Sequence, residues 1–316
     1  MSTLPLFFGR RIALLLLTLW AVSILIFAVT QLLPGDVATM ILGMSATDED
    51  LATLRRQLGL EQPAVLQYLH WLGALVQGDL GISLRFQRPV AEVLRQPLLN
   101  SAILGIAGTL FAMPLGIGLG VISALKRGGI FDRIVSGISL FAAAMPEFVT
   151  GGILIVVFSS WLGWLPAFAG GTDHPSLGQR IAELIMPVLS LSFVIVAYIL
   201  RMTRASVIET LDSDFVRAAM LKGISWPRII FRHVLPVSLG PTLQVIALSV
   251  GWIASGLVVV ESLFGISGIG RLLVFAIQNR DIPLLQTICL IVAGVYALAN
   301  MAADLGQRAL DPRVAT

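Results

Sequence analysis

Residues 214–236 read DFVRAAMLKGISWPRIIFRHVLP, and they interrupt an otherwise apolar stretch of chain. Asp212 or Ser213 stands where a helix needs its N-cap, and Asp214 puts a carboxylate in the first turn, where the helix dipole favours negative charge. Phe215, Ala218, Ala219 and Lys222 follow at i, i+3, i+4 and i+7, the spacing of one helical face. Gly223 falls where a left-handed residue closes a helix. Ser225 then opens a second short helix with Pro227 in its first turn, and Pro236 marks the return to apolar sequence. Spacing alone leaves two readings open. The first helix either lies on a membrane surface, or offers a docking face whose small side chains, Ala218 and Ala219, admit another protein close to the backbone.

Working outward from this segment, the composition places the chain in lipid. Of 316 residues, 57% are hydrophobic and 12% charged, against about 25% charged in a soluble domain. Crossing the hydrocarbon core takes roughly 20 apolar residues. Six such segments are expected, at 12–33, 102–125, 134–161, 184–202, 237–260 and 284–305. The first follows Arg10 and Arg11, but it is longer than a signal-peptide core and no small-x-small site closes it, so it reads as a retained helix. The fold class is therefore all-α and polytopic, with residues 1–33 as tail and first helix, 34–100 as a helical domain between helices 1 and 2, and 101–316 as a five-helix core carrying the loop 201–236. Within 34–100, residues 48–58 are amphipathic with Leu51, Leu54 and Leu58 at helical spacing. A second helix is expected at 63–76, carrying Tyr68, Trp71 and Leu72. Cys289 is the single cysteine, which excludes an internal disulfide and a cysteine-rich metal site.

Orientation follows from the basic residues. With both termini in the cytoplasm, the inner segments hold Arg10, Arg11, Lys126, Arg127, Arg133, Arg201, Arg204, Arg217, Lys222, Arg228, Arg232, Arg308 and Arg313, thirteen of the 21 Lys and Arg. Five others (Arg55, Arg56, Arg85, Arg88, Arg95) lie in the long 34–100 segment, which such counting discounts, leaving Arg180, Arg271 and Arg280 against. The 34–100 domain is then external. The net charge of +3 is this topology signal, and no soluble basic domain is present to hold nucleic acid.

Ionisable residues at membrane depth are expensive and often functional. Glu147 follows Pro146 inside the third segment, where proline can kink a helix, and as a path residue it would meet a substrate's ammonium group. Glu261 closes the fifth segment before FGISGIG and suits a structural tie to Arg271 or Arg280 as well as a path role. Asn300 and Asp304 share a face of the sixth, either lining the path or packing on a partner. Arg201 reads as an anchor at the inner interface.

The run RAAMLKGISWPRIIFRHVLP (217–236) resembles the EAA loop of binding-protein-dependent ABC importer permeases, with pattern E-A-A, three residues, G, nine residues, I-x-L-P. Ala218, Ala219, Gly223, Leu235 and Pro236 match in register. Arg217 stands in place of the acid and His233 in place of the isoleucine, substitutions that occur in the dipeptide/oligopeptide branch. RRIALLLLTLWAVSILIFAVTQLLPGD (10–36), QYLHWLGALVQGDLGIS (67–83), VVVESLFGISGIGRLLVFAIQNRDIPLLQ (258–286) and the terminal Asp311-Pro312-Arg313 also resemble that branch, so the likeness covers nearly the whole chain.

The resemblance implies that residues 215–223 dock in an ATPase subunit and couple its closure to the spans, with Asp214, Phe215, Arg217, Ala218, Ala219, Lys222, Gly223, Leu235 and Pro236 as the coupling residues. It also implies a bacterial inner-membrane location and import of dipeptides, oligopeptides, glutathione, nickel chelates or similar solutes. The expected partners are two ATP-binding subunits, a homologous second permease and an extracytoplasmic solute-binding protein. No G-x-x-x-x-G-K-[ST] loop occurs in the sequence, so ATP and Mg are expected on the partner ATPases, with no cofactor, metal or catalytic residue on this chain.

Two other classes compete. An intramembrane serine protease could use the G-x-S-G run 265–268, but such chemistry needs a base beside Ser267, and His70, His174 and His233 all fall outside the apolar segments. A secondary transporter or channel would show paired broken helices in an inverted repeat, and it leaves the 201–236 loop unexplained.

Overall fold

A computed structural model describes residues 3–32, 39, 46–57, 61–169 and 176–310. Among them the regular elements are helical: α1 (Thr3–Leu32), α2 (Asp48–Gln57), α3 (Ala64–Val76), α4 (Val90–Leu125), α5 (Ile130–Ala144), α6 (Glu147–Leu154), α7 (Leu177–Leu211), α8 (Asp214–Leu221), α9 (Trp226–Ile229), α10 (Leu235–Phe264), α11 (Ile269–Gln278) and α12 (Ile282–Leu310). Five continuous helical stretches are long and apolar enough to cross a membrane: Gly9–Leu32, Val90–Leu125, Leu177–Leu211, Trp226–Phe264 and Ile282–Gln307. The expected 34–36 turn, His174, Leu58 and residues 311–316 lie outside the described residues.

The expected third span, 134–161, is not one helix. α5 and α6 meet at a bend of 106°. Met145 (φ −85°, ψ 124°) and Pro146 (φ −63°, ψ 145°) are both extended there, because a residue before proline is driven out of the helical region and proline has no N–H to continue the ladder. α6 then runs into a π-helical stretch, Ile155–Trp161.

The expected boundary at Pro236 also moves. α9, a π-helical turn (Ile230–Val234) and α10 form one continuous rod of 39 residues, Trp226–Phe264. The wider turn opens the backbone just ahead of Pro236, whose ring would otherwise collide with the carbonyl of Arg232. α7 starts earlier than expected because Ser176 and Gln179 form a capping box, an S-x-x-Q signal present in the sequence.

The chain divides into two compact units, 1–99 with 272–297, and 100–271 with 298–316. In the first, Phe27 of α1 meets Tyr68 and Trp71 of α3 at ring-centroid distances of 5.4 and 6.0 Å, and Ser23 and Tyr68 share a hydrogen bond of 2.9 Å. The buried Asp281 carboxylate accepts from Ser83 Oγ and, at 3.2 Å, from the backbone N–H groups of Leu84 and Arg85. That contact fixes the loop before α4 to the start of α12.

The second unit is built on α7, which packs against α5, α6 and α10. Its core holds Leu104, Met186, Leu191, Ile195, Ile199, Leu257, Val260 and Phe264. Small and hydroxylated residues let these helices approach closely, as expected where lipid gives no hydrophobic drive between helices. A Cβ at Gly120 would lie 2.7 Å from the Leu200 carbonyl and from Thr203 Cβ. Ser192 Oγ donates to the Gly108 carbonyl at 3.1 Å, and Thr203 and Thr242 share a bond of 3.2 Å.

Candidate coupling surface and solute path

α8 is short, and its fixation comes from both ends and from beneath. Ser213 occupies the N-cap position, but its hydroxyl donates back to the Thr210 carbonyl at 2.5 Å rather than capping α8. At the other end Gly223 adopts φ 75°. The N–H of Gly223 donates to Met220 at 2.9 Å and that of Ile224 to Ala219 at 3.3 Å, the paired bonds of a Schellman cap. Underneath, Val216 and Ala219 are buried in a cluster with Ala124, Val207, Ile229, Ile230 and Val234, with Phe215 and Ile224 packed against it. Arg127 and Asp212 add an exposed ion pair of 3.0 Å.

This corrects the expected face. Phe215 and Ala219 turn toward the protein, whereas Asp214, Arg217, Ala218 and Lys222 turn away from it, joined by Leu221, which is 90% exposed. The i, i+3, i+4, i+7 set is split between the two faces, so it does not single out the exposed Leu221. Trp226 and Phe231 extend the exposed apolar surface. Leu235 and Pro236 are half-buried in the rod and support the surface without forming it.

The expected path residues separate into different environments. Glu261 is 0% exposed, and its carboxylate accepts from Ser101 Oγ and, at 3.0 Å, from the backbone N–H of Arg271. Ser101 Oγ in turn accepts from the N–H of Ile269 at 2.8 Å. The carboxylate therefore sits against the first turn of α11, where the dipole favours it. Gly268 leaves room for it, since a Cβ there would overlap the Glu261 side chain. The tie of Glu261 runs to the main chain of Arg271 and to Ser101 instead of to the expected guanidinium. Asn300 and Asp304 lie half-buried one turn apart on α12.

Glu147 is half-buried at the start of α6 and lines a cavity of about 100 Å³ with Leu191, Val194, Ile195, Tyr198, Trp252 and Ile253. A second cavity of about 520 Å³ shares Tyr198 and Trp252 and adds Arg201, Arg204, Ser136 and Leu248. Tyr198 and Trp252 pack with ring centroids 4.2 Å apart. Arg204 is engaged by Asp132 through bonds of 2.6 and 2.8 Å. That carboxylate also accepts from Ser123 Oγ at 2.5 Å and the Gly128 N–H at 2.9 Å, joining α4, α5 and α7. Ser267 is exposed, and its carbonyl accepts from Asn100 Nδ2 at 2.8 Å.

The profile of the family described as binding-protein-dependent transport system inner membrane component matches residues 116–316, and its N-terminal companion matches residues 4–88. A probable peptide ABC transporter permease of Sinorhizobium fredii is 35% identical over 305 residues, covering 96% of this chain and 97% of that one. A di/tripeptide transport system permease of Pseudomonas aeruginosa is 37% identical, covering 98% of each chain. A glutathione transport system permease of Escherichia coli is 34% identical, covering 96% of this chain and 97% of that one. Among solved structures, an inward-facing form of the MetNI methionine ABC transporter superposes with a TM-score of 0.53 at 15% identity, covering 67% of this chain and 94% of that one. That likeness speaks to the fold.

Proposed function

The chain belongs to the binding-protein-dependent transport system inner membrane component family and is a multi-pass inner-membrane permease subunit of an ABC importer, and from that premise we propose that its cargo is short peptides or close analogues such as glutathione. The proposal rests on curated relatives named for peptide, di/tripeptide and glutathione transport that span nearly the whole chain. Family membership implies ATPase and solute-binding partners. In the complete assembly two ATP-binding subunits bind ATP and Mg at the inner face, a homologous permease completes the path, and a solute-binding protein delivers cargo from outside. The distribution of Lys and Arg supports placing both termini in the cytoplasm.

The observation that carries the mechanism is the two-sided character of α8. Its inner face is locked to the ends of α7 and the rod Trp226–Phe264 by a buried cluster, while Ala218, Leu221 and Lys222 are exposed. A helix held this way moves with the spans, so closure of a docked ATPase pair is transmitted to α7 and α10. The path then opens alternately to the two sides, each ligand shifting the balance only by its differential affinity for the two states.

The test places a cysteine at Ala218 in a Cys289→Ser background and paired cysteines on the ATPase subunit. Disulfide formation between them, together with loss of ATP-dependent uptake in Leu221→Asp, is expected. Uptake by Leu221→Asp at the parental rate would overturn the coupling role.

A further inference from the structure

Glu147, Tyr198, Trp252 and Arg201 lie in one stripe along α7, where two cavities meet. The smaller is lined by Glu147 and by Leu191, Val194, Ile195 and Tyr198 of α7; the larger by Tyr198 and Arg201 of the same helix, with Trp252 common to both. Residues 191, 194, 195, 198 and 201 share one face of α7. Tyr198 stands between the two charged groups: it lines the cavity of Glu147, and the Arg201 guanidinium lies 5.9 Å from the centre of its ring. Arg201 is exposed, and Glu147 is half-buried. Neither charge is neutralised by Asp132 or Arg204, because those two are committed to each other. Ionisable residues that face a cavity between membrane helices mark solute pathways by default.

We infer that this stripe is a wall of the solute path that reads the two ends of a zwitterionic short peptide, Glu147 receiving the ammonium group and Arg201 the carboxylate, with Tyr198 and Trp252 against the chain between them. The inference rests on the peptide-importer reading and deepens it. The two charged groups flank a single aromatic pair, a spacing for a short peptide and not for a long chain. The larger cavity, at about 520 Å³, falls within the usual range for small-molecule sites. A guanidinium presents a planar fork suited to a carboxylate, and an aromatic pair accepts varied side chains by contact without demanding one hydrogen-bond pattern. Such a wall holds any short peptide by its termini and leaves side-chain choice to other parts of the importer.

The test measures binding of dialanine, its C-terminal amide and its N-acetyl form to the assembled transporter without its solute-binding protein, by saturation-transfer NMR titration. ATP-dependent dialanine uptake by the complete wild-type system is followed in parallel. Arg201→Gln is expected to weaken dialanine at least tenfold and the amide less than twofold, whereas Arg201→Lys retains most of the discrimination. Glu147→Gln is expected to weaken dialanine at least tenfold and the N-acetyl form less than twofold. Equal weakening of dialanine and its blocked form in each variant would mean a structural role and overturn the inference, as would unchanged dialanine binding. If wild type imports dialanine while the variants fail this pattern, the inference alone falls. If wild type imports no dialanine, the peptide-importer reading falls with it.

Discussion

At the scale of single residues, the Asp132 carboxylate joins three helices of the second unit. It is 4% exposed and takes both guanidinium bonds of Arg204 as well as those of Ser123 and Gly128. Removing one partner of a buried pair leaves the other charge uncompensated, at a cost of about 3–5 kcal/mol, lessened here because the Arg204 side chain keeps 30% exposure. Asp132→Asn should therefore lower the unfolding midpoint of the detergent-solubilised protein clearly, and Asp132→Asn with Arg204→Gln should cost less than the two single changes summed. Additive losses in that cycle would show that the pair is not a unit. None of this was legible beforehand. Asp132 and Arg204 are 72 positions apart, and Arg204 read only as one of several inner-side basic residues. The same holds for Asp281, whose partners lie 196 to 198 positions away. Local pattern can mark a polar residue as out of place in an apolar run; only tertiary packing supplies its partner. Pro146 and Gly223 were legible because their effects are on their own backbone.

At the scale of elements, α8 shows how a helix can be read correctly while its face is not. Its boundaries follow from Asp214 and Gly223, but which side is buried depends on what lies beneath, and Val216 with Ala219 meets the ends of α7 and the rod. The bend between α5 and α6 had a visible cause in Pro146, whereas its size, 106°, depends on how α6 packs against α7 and α10. The Schellman cap gives this scale its own prediction. A Cβ at Gly223 meets nothing within 4 Å, so the cost of a side chain there is the left-handed backbone alone, φ 75°. That is about 1–2 kcal/mol for an ordinary L-residue, with asparagine among those that tolerate it best. Gly223→Val should insert normally yet lose most uptake per inserted molecule, as the end of α8 loosens, while Gly223→Asn retains most of it. Equal uptake for valine and glycine would show that the cap is not needed to transmit motion.

At the scale of the whole molecule, the membrane orientation depends on how Lys and Arg are distributed along the chain. The cytoplasmic assignment of loop 201–236 puts Lys222, exposed beside the end of α8, on the same side as the N-terminal Arg10 and Arg11. It puts Gln77, exposed just after α3, on the opposite side. Between Gln77 and Lys222 the chain passes through Val90–Leu125, the bent pair α5–α6, and Leu177–Leu211. If the bent pair crosses as one span despite its angle, that makes three crossings, and the two positions lie on opposite faces. If α5 and α6 instead return to the side they left, there are two crossings, and the positions share a face. Labelling single cysteines, Gln77→Cys and Lys222→Cys in a Cys289→Ser background, with a membrane-impermeant maleimide on intact cells decides between them. Gln77→Cys should label from outside, and Lys222→Cys only after the membrane is opened. Labelling of both from outside would make α5–α6 a re-entrant hairpin and remove α8 from reach of any cytoplasmic ATPase. A coupling surface on α8 therefore requires the bent pair to cross, and the 106° turn at Met145–Pro146 is compatible with a crossing because α6 continues through a further seven-residue π-helical stretch to Trp161.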